Sequence, residues 1–395
     1  MTARLSARQD YRGVALVAPA TVPYVRYSEH GAPWFIGKAL SAMLQQAGVD
    51  KSEIDGLSVS SFSLAPDTPA SMAEYFALEP RWLEHVPMGG ASGVIAMRRA
   101  ARAIQCGDAE VVACIAGDTN RRGAFKDLVA NFSSFSRDAV YPYGAAGPNA
   151  VFAMITDKYM REYGARREDF GRICIAQREN AMRFPHALLR EPLTMEQYLG
   201  ARPIAEPLHL YDCVMPCAGG EGFLVMSTDK AQALNLPFAV ISAAIERHNA
   251  FRADDVQLRG GWEKDRGTLY GDASKGPDDM DFLQTYDDYP VIVMLQLEGL
   301  GFCPQGEAAK FVRETSLTCD EGGLPHNTSG GQLSVGQAGS GGGFLGMVEA
   351  LRQLTGQSLG SQVQGARTGL VSGYGMVNYD RGLCTAAAIL EAGQA

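Results

Sequence analysis

The chain reads as an α/β protein: two similar βαβαβ-type halves stacked in a five-layered α-β-α-β-α arrangement. Three observations predict this. Apolar runs of strand length alternate with amphipathic stretches of helical period. Each half holds a glycine-rich turn, then a helix, then a buried strand, at 88–118 and again at 326–375. The 395 residues also exceed what one ordinary core accommodates. The halves are expected at 1–230 and 231–395.

"GVALVAP" (13–19) predicts a buried strand, and "WFIGKALSAMLQQAG" (34–48) an amphipathic helix closed by Gly48. "IDGLSVSSFS" (54–63) is a second strand. A helix from Ser92 to Gln105, closed by Gly107, leads into the strand "EVVACIAGD" (110–118). That βαβαβ order predicts a parallel sheet covered by helices. An irregular excursion follows at about 119–207, with a helix at "AVFAMITDKYMREYG" (150–164), before strand character returns at "EGFLVMS" (221–227). In the second half "PFAVISAAI" (237–245) and "DFLQTYD" (281–287) read as strands and "YPVIVMLQLEGLG" (289–301) as a helix. The turn "HNTSGGQLSVGQAGSGGG" (326–343) opens the helix "FLGMVEALRQLTG" (344–356). Strands at "RTGLVSGYG" (367–375) and "LCTAAAILE" (383–391) finish the pattern. The charged, glycine-rich stretch 251–279 is expected to be an exposed loop or flap.

Composition narrows the function. A net charge of −9 argues against a general nucleic-acid or anionic-membrane surface. No apolar run reaches the roughly 18 residues of a membrane span. "MTARLSARQDYRG" is basic but lacks the apolar segment of a secretory signal. The eight cysteines are scattered in apolar runs, which argues against a disulfide framework and for a reducing cytoplasm. Cys213 and Cys217 are a close pair without a second pair or a nearby histidine, so buried packing is expected there rather than zinc.

Five stretches in order carry a resemblance. They are "MGGASG" (88–93), "ARPIAEPLHLYDCVMPCAGGEGFLVMS" (201–227), "TYDDYPVIVMLQLEGLGFCPQGEAAKFV" (285–312), "NTSGGQLSVGQAGSGG" (327–342) and "GLVSGYG" (369–375). Together they resemble the thiolase superfamily, specifically the sterol-carrier-protein-type thiolases and the related lipid-transfer-protein aldolases. The resemblance implies the thiolase fold. Condensing thiolases use a cysteine nucleophile, a histidine and a second cysteine. Against that pattern Gly90 stands at the nucleophile position, Gln337 at the histidine and Tyr374 at the second cysteine. Glycine cannot carry an acyl group, so covalent Claisen chemistry at the usual place is excluded.

What remains is a cradle for an acyl thioester. The turns 89–93 and 339–343 each offer backbone N–H groups at a helix start, able to stabilise a developing oxyanion. Gly90, Ala91 and Gly341 are the expected donors, with Asn327, Gly330 and Gly331 in the facing loop of the family fold. Candidates for acid/base work are Tyr286, Tyr374, Gln337 and Asp287, with Tyr379 able to reach the same pocket. Ser92 reads as a helix-capping or packing residue, because nothing nearby would activate it, and His326 as a residue that packs or caps its loop.

The implied activity is non-covalent retro-aldol cleavage of a β-hydroxyacyl-CoA, which needs a base for the β-hydroxyl and an electrophilic pocket for the enolate. Coenzyme A would enter as part of the substrate, with no further cofactor and no metal. Its phosphates are expected on Arg178, Arg183 and Arg190. A homodimer with a small OB-fold/zinc-ribbon partner is expected. Two other readings stay open: an acyltransferase or β-ketoacyl-CoA thiolase using Cys384 or Cys217 as nucleophile, and a non-catalytic acyl-CoA-binding subunit.

Overall fold

The computed structural model describes residues 10–124, 141–145, 147–320 and 322–394, so part of the expected excursion, 125–140 and 146, lies outside the described residues. The first strands and helices are β1 (Val14–Val25), α1 (Ala32–Ala47), β2 (Gly56–Ser60), α2 (Pro69–Tyr75), β3 (Trp82–His85), α3 (Ser92–Cys106) and β4 (Val111–Asp118). Then come α4 (Gly147–Tyr163), α5 (Arg167–Ala181), α6 (Met195–Leu199), β5 (Pro203–Ala205), β6 (Leu208–His209), β7 (Ala218–Ser227) and α7 (Thr228–Ala233). The remainder is β8 (Ala239–His248), α8 (Trp262–Ala273), β9 (Phe282–Thr285), α9 (Pro290–Gly299), α10 (Ala308–Glu314), α11 (Gly331–Val335), α12 (Gly342–Thr355), β10 (Thr368–Asn378) and β11 (Arg381–Ala392).

Nine strands form a sheet in the order β3-β2-β4-β7-β1-β8-β11-β10-β9. Its two halves meet at a narrow seam, where β1 pairs with β8 only through Ala15↔Val240 and Leu16↔Ala239. Strand alternation then sets the layers. In β4, Val111, Ala113 and Ile115 join one apolar cluster while Val112, Cys114 and Ala116 join another, so both faces are covered. The outer cluster of the first half-sheet holds Phe35, Ile36 and Met43 of α1. Val94 and Met97 of α3 share a cluster with Phe344 and Leu351 of α12, and with strand residues of both half-sheets, including Phe223 and Val371. Ile292 and Leu295 of α9 cover the outer face of the second half-sheet against Leu283, Leu370 and Ile389. The result is five layers, as the repeated pattern implied.

Two expectations need correction. The sheet is mixed: β2 runs parallel to β3 and β4, and β9 to β10, but β7 is antiparallel to β1 and β4, and β11 to β8 and β10. β10 and β11 are joined by a tight hairpin and β7 arrives from the excursion, so neither follows a right-handed crossover helix. The segment 251–279 is not simply an exposed loop, because it contains α8. Trp262 at its start is fully buried, and its indole N–H donates to the Ala386 carbonyl at 3.0 Å. Among the described residues no helix is long and apolar enough to cross a membrane.

Candidate active site

The site gathers where α3 and α12 begin. Each helix follows a short glycine-rich 3-10 turn, Gly89–Ala91 and Gly339–Gly341. The two turns pack main chain to main chain. A Cβ at Gly343 would stand 2.4 Å from the Gly89 carbonyl oxygen, and one at Gly93 would stand 2.3 Å from that of Gly343. Only glycine permits so close an approach. It brings two helix N-termini, each an attractor for negative charge, onto one spot. Asp118 at the end of β4 braces the second turn by accepting the Ser340 N–H at 2.7 Å, while Ser61, Phe62 and Ser63 also donate to it.

Tyr286 lies in the four-residue turn between β9 and α9. Its backbone is clamped by Gln296 of α9: the Gln296 amide donates to the Tyr286 carbonyl at 2.6 Å and accepts the Tyr286 N–H at 3.2 Å. The ring covers Gly90. A Cβ built on Gly90 would sit 2.2 Å from Tyr286 Cε2 and 2.4 Å from Cζ, so the tyrosine fills the volume a nucleophilic side chain would take. Gln337 Nε2 donates to the Tyr286 hydroxyl at 3.2 Å and to Asp288 Oδ1 at 2.8 Å. Gln337 thereby bridges the Tyr286 hydroxyl and the Asp288 carboxyl, whose charge acts on the phenol.

These three side chains form one charged relay. Burial, reinforced by Asp288, pushes the Tyr286 phenol well above its usual range, so it is protonated at neutral pH. Burial, with the neighbouring Asp287 adding to it, pushes Asp288 up to about 7 against the favourable interactions with Tyr286 and Gln337. Asp288 is thus a carboxyl that changes state near neutrality.

Asp288 was not among the expected residues, and Asp287, which was, faces the other way. Asp287 accepts the backbone N–H groups of Gln332 (3.0 Å) and Leu333 (3.2 Å) at the start of α11. Burial raises it to about 6, and those amides hold it down. Its place is to fix the glycine-rich loop. Tyr374 is also corrected. Its side chain belongs to the outer cluster with Trp262, whose ring it stacks on at 5.7 Å, and its hydroxyl accepts the Gly382 N–H at 2.6 Å. The residues of β10 that meet the Gly89–Ala91 turn are its neighbours Gly373 and Gly375. Tyr379, two-fifths exposed at the β10–β11 tip, does not line the cavity either.

A narrow cavity opens between the relay and the turns, lined by Gly90, Tyr286, Asn327, Ser329, Gly331 and Gly343 among others. Of the expected donors, Ala91 N–H is bonded to Met88, Gly330 N–H to Asn327 and Gly341 N–H to Ala338. The N–H groups of Gly90 and Gly331 have no acceptor among the described residues, and both glycines border the cavity. Asn327 Oδ1 accepts the Thr285 N–H at 2.8 Å, which turns its amide nitrogen toward Gly331. Ser92 packs rather than caps: buried at the first turn of α3, its hydroxyl donates to the Val86 carbonyl and accepts the Met88 N–H, which ties down the preceding loop. His326 is buried against Thr285, and burial lowers it to about 3, so it is neutral.

The arginines expected to hold coenzyme A divide. Arg178 is buried and donates to Ser334 and to the Glu191 carbonyl, so it belongs to the interior. Arg183 is exposed but paired with Asp320 at 2.6 Å. Arg190 is exposed. The alternative nucleophiles fare no better. Burial pushes the Cys384 thiol up to about 11 and Cys217 higher still, and neither lines the cavity.

Comparison with known proteins bears on this arrangement. Residues 243–387 match the family model for the thiolase C-terminal domain-like fold. The chain is 31% identical over 342 residues to the steroid side-chain-cleaving aldolase of Thermomonospora curvata, covering 82% of this chain and 85% of that protein. It is 30% identical over 361 residues to the 17-hydroxy-3-oxo-4-pregnene-20-carboxyl-CoA lyase of Mycobacterium tuberculosis, covering 87% and 92%. Among solved structures, the Ltp2-ChsH2(DUF35) aldolase superposes with a TM-score of 0.82 at 29% identity, over 96% of this chain and 98% of that one.

Proposed function

We propose that this chain, which belongs to the sterol-carrier-protein-type aldolases of the thiolase superfamily, cleaves a β-hydroxyacyl-CoA by a retro-aldol reaction. The observation that carries the reading is the Tyr286 ring seated over Gly90, because it removes the room for a nucleophile and puts a proton-transfer group there instead.

In the scheme the thioester carbonyl oxygen takes the N–H groups of Gly90 and Gly331, and the β-hydroxyl meets the Tyr286 hydroxyl. Tyr286 accepts the β-hydroxyl proton while passing its own to Asp288, with Gln337 holding both. The Cα–Cβ bond then breaks. A ketone or aldehyde leaves, the electrons of the broken bond form the thioester enolate, and the proton held on Asp288 returns through Tyr286 to carbon, giving the shorter acyl-CoA and restoring the site. Positioned proton transfer contributes typically about 10²–10⁴-fold, and one oxyanion donor about 10²–10³-fold. Coenzyme A enters only as part of the substrate. A bulky substrate of the steroid type is favoured by the names of the relatives. The two-component title of the structural neighbour supports a partner protein, which we take to be a small OB-fold/zinc-ribbon chain acting with a homodimer of this one.

The test is to supply purified chain, with and without such a partner, with β-hydroxyacyl-CoA thioesters and follow products by mass spectrometry. Release of a ketone or aldehyde, reduced at least about 100-fold in Tyr286→Phe, is expected. Thioester binding without release from any candidate would favour the non-catalytic reading and sink this one.

A further inference from the structure

Three soft donors from three segments meet beside the Gly89–Ala91 turn. β8 and β11 set His248 and Cys384 directly opposite each other. There His248 Nδ1 lies 3.3 Å from the Cys384 sulfur. Met88, which immediately precedes the turn, brings its thioether sulfur to 3.6 Å from the same atom. The main chain that carries Met88 is fixed. Its N–H is donated to the Ser92 hydroxyl at 3.1 Å, and a Cβ on Gly375 would stand 2.0 Å from its carbonyl oxygen. The far ring nitrogen of His248 lies 3.3 Å from Glu246, whose carboxylate is itself paired with Arg98 at 2.5 Å. A carboxylate behind the second nitrogen is the arrangement that orients metal-ligating histidines. His248 also borders an open cavity of about 410 Å³, which gives an ion a way in.

We infer that Met88, Cys384 and His248 bind a soft monovalent metal ion, Cu(I), through a thioether, a thiolate and an imidazole nitrogen. The donors decide the metal. Thiolate and thioether sulfur select Cu(I), whereas zinc is bound by thiolate, imidazole and carboxylate and takes four ligands in a structural site. Among the described residues no group of three histidine, cysteine, aspartate or glutamate side chains is placed to hold an ion, so zinc finds no set here. The geometry is within reach. Metal bonds of about 2.0–2.3 Å to nitrogen and sulfur put ligands roughly 3.5–4.0 Å apart at trigonal or tetrahedral angles. The measured separations of 3.3 and 3.6 Å need only open slightly. On binding, a Cu–S bond replaces the Cys384 S–H bond, the proton passes to solvent, and copper keeps its oxidation state. The thioether and the imidazole each lend a lone pair. His248 and Cys384 belong to the second half and Met88 to the first, so the ion staples the two halves beside the catalytic turn. This role is independent of the cleavage reaction.

Anaerobic titration of the purified chain with the coloured Cu(I)–bicinchoninate complex tests this without turnover. Wild type is expected to withdraw an equivalent of Cu(I) that Cys384→Ser leaves with the chelator. Met88→Leu and His248→Ala should each bind it at least about tenfold more weakly. Cys106→Ser, which alters an exposed thiol elsewhere, should titrate as wild type does. Bound Cu(I) should also raise the thermal midpoint of wild type, and raise it less in Met88→Leu, a substitution that conserves volume and keeps the fold. The inference is overturned if wild type does not compete for Cu(I), or if Met88→Leu binds it as wild type does. It is equally overturned if Cys106→Ser is weakened as much as Cys384→Ser, since that means adventitious binding to surface thiols. Tighter uptake of Zn(II) than of Cu(I) by wild type overturns the assignment of the metal and with it the inference.

Discussion

At Gly90 the position of a missing side chain is occupied by a neighbour's ring, and the occupancy has a chemical cost for any reversal. A Gly90→Cys chain would place Cβ 2.2 Å from Tyr286, so the ring must leave its contacts with Gln337 and Asp288. We expect that variant to lose cleavage by more than about tenfold and to gain no acyl transfer, measured with β-hydroxyacyl-CoA and β-ketoacyl-CoA side by side. Asp288 makes a second prediction with two opposite limbs. Its folded carboxyl is raised to about 7 from an ordinary value near 4, so ionisation disfavours the fold. Its contribution to stability is therefore complete below about pH 4 and lost as pH rises through about 7. Activity runs the other way, because only the carboxylate can accept a proton, and kcat/KM should climb across the same range. Asp288→Asn should abolish that climb and flatten its share of the stability loss, read by a pH–rate profile and urea midpoints from pH 5 to 8. Tyr286 and Gln337 were legible as motif positions. The choice between Asp287 and Asp288 was not, since adjacent aspartates differ only in how the turn aims them.

Among the elements, α9 and α8 show what periodicity reveals and what it hides. All ten residues of α9 are buried, and its continuous apolar run announced that. The polar side chain that positions the site, Gln296, had no local signal, because its partners lie on the Tyr286 turn and on Ser372 of β10. α8 was hidden for the opposite reason. Its stretch is polar and glycine-containing, and among its residues only Trp262 and Leu269 are buried. Those two do the anchoring, so Trp262→Ala should cost about 3–5 kcal/mol, seen as a lowered urea midpoint. β10 carried the misleading tyrosine: period-2 alternation sends Gly373 and Gly375 to the glycine turn and Tyr374 to Trp262 on the other face.

For the whole molecule, layering followed from internal repetition, because two helices apolar enough to face sheets on both sides must lie between them. Strand direction did not follow, since alternation of strands and helices is silent about the antiparallel partners β7 and β11. The half-sheets share a two-pair seam and are locked again where the glycine turns meet. That second lock has a consequence for how specificity can change. The wall of the cavity formed by Gly90, Gly331 and Gly343 is main chain, and a wall of main chain offers selection no side chain to enlarge, trim or recharge. Divergence in the acyl group accepted must therefore be written on the lining side chains outside the relay, at Ser329, Leu345 and Val371. Libraries built to alter what this enzyme accepts should vary those positions and leave the glycines alone.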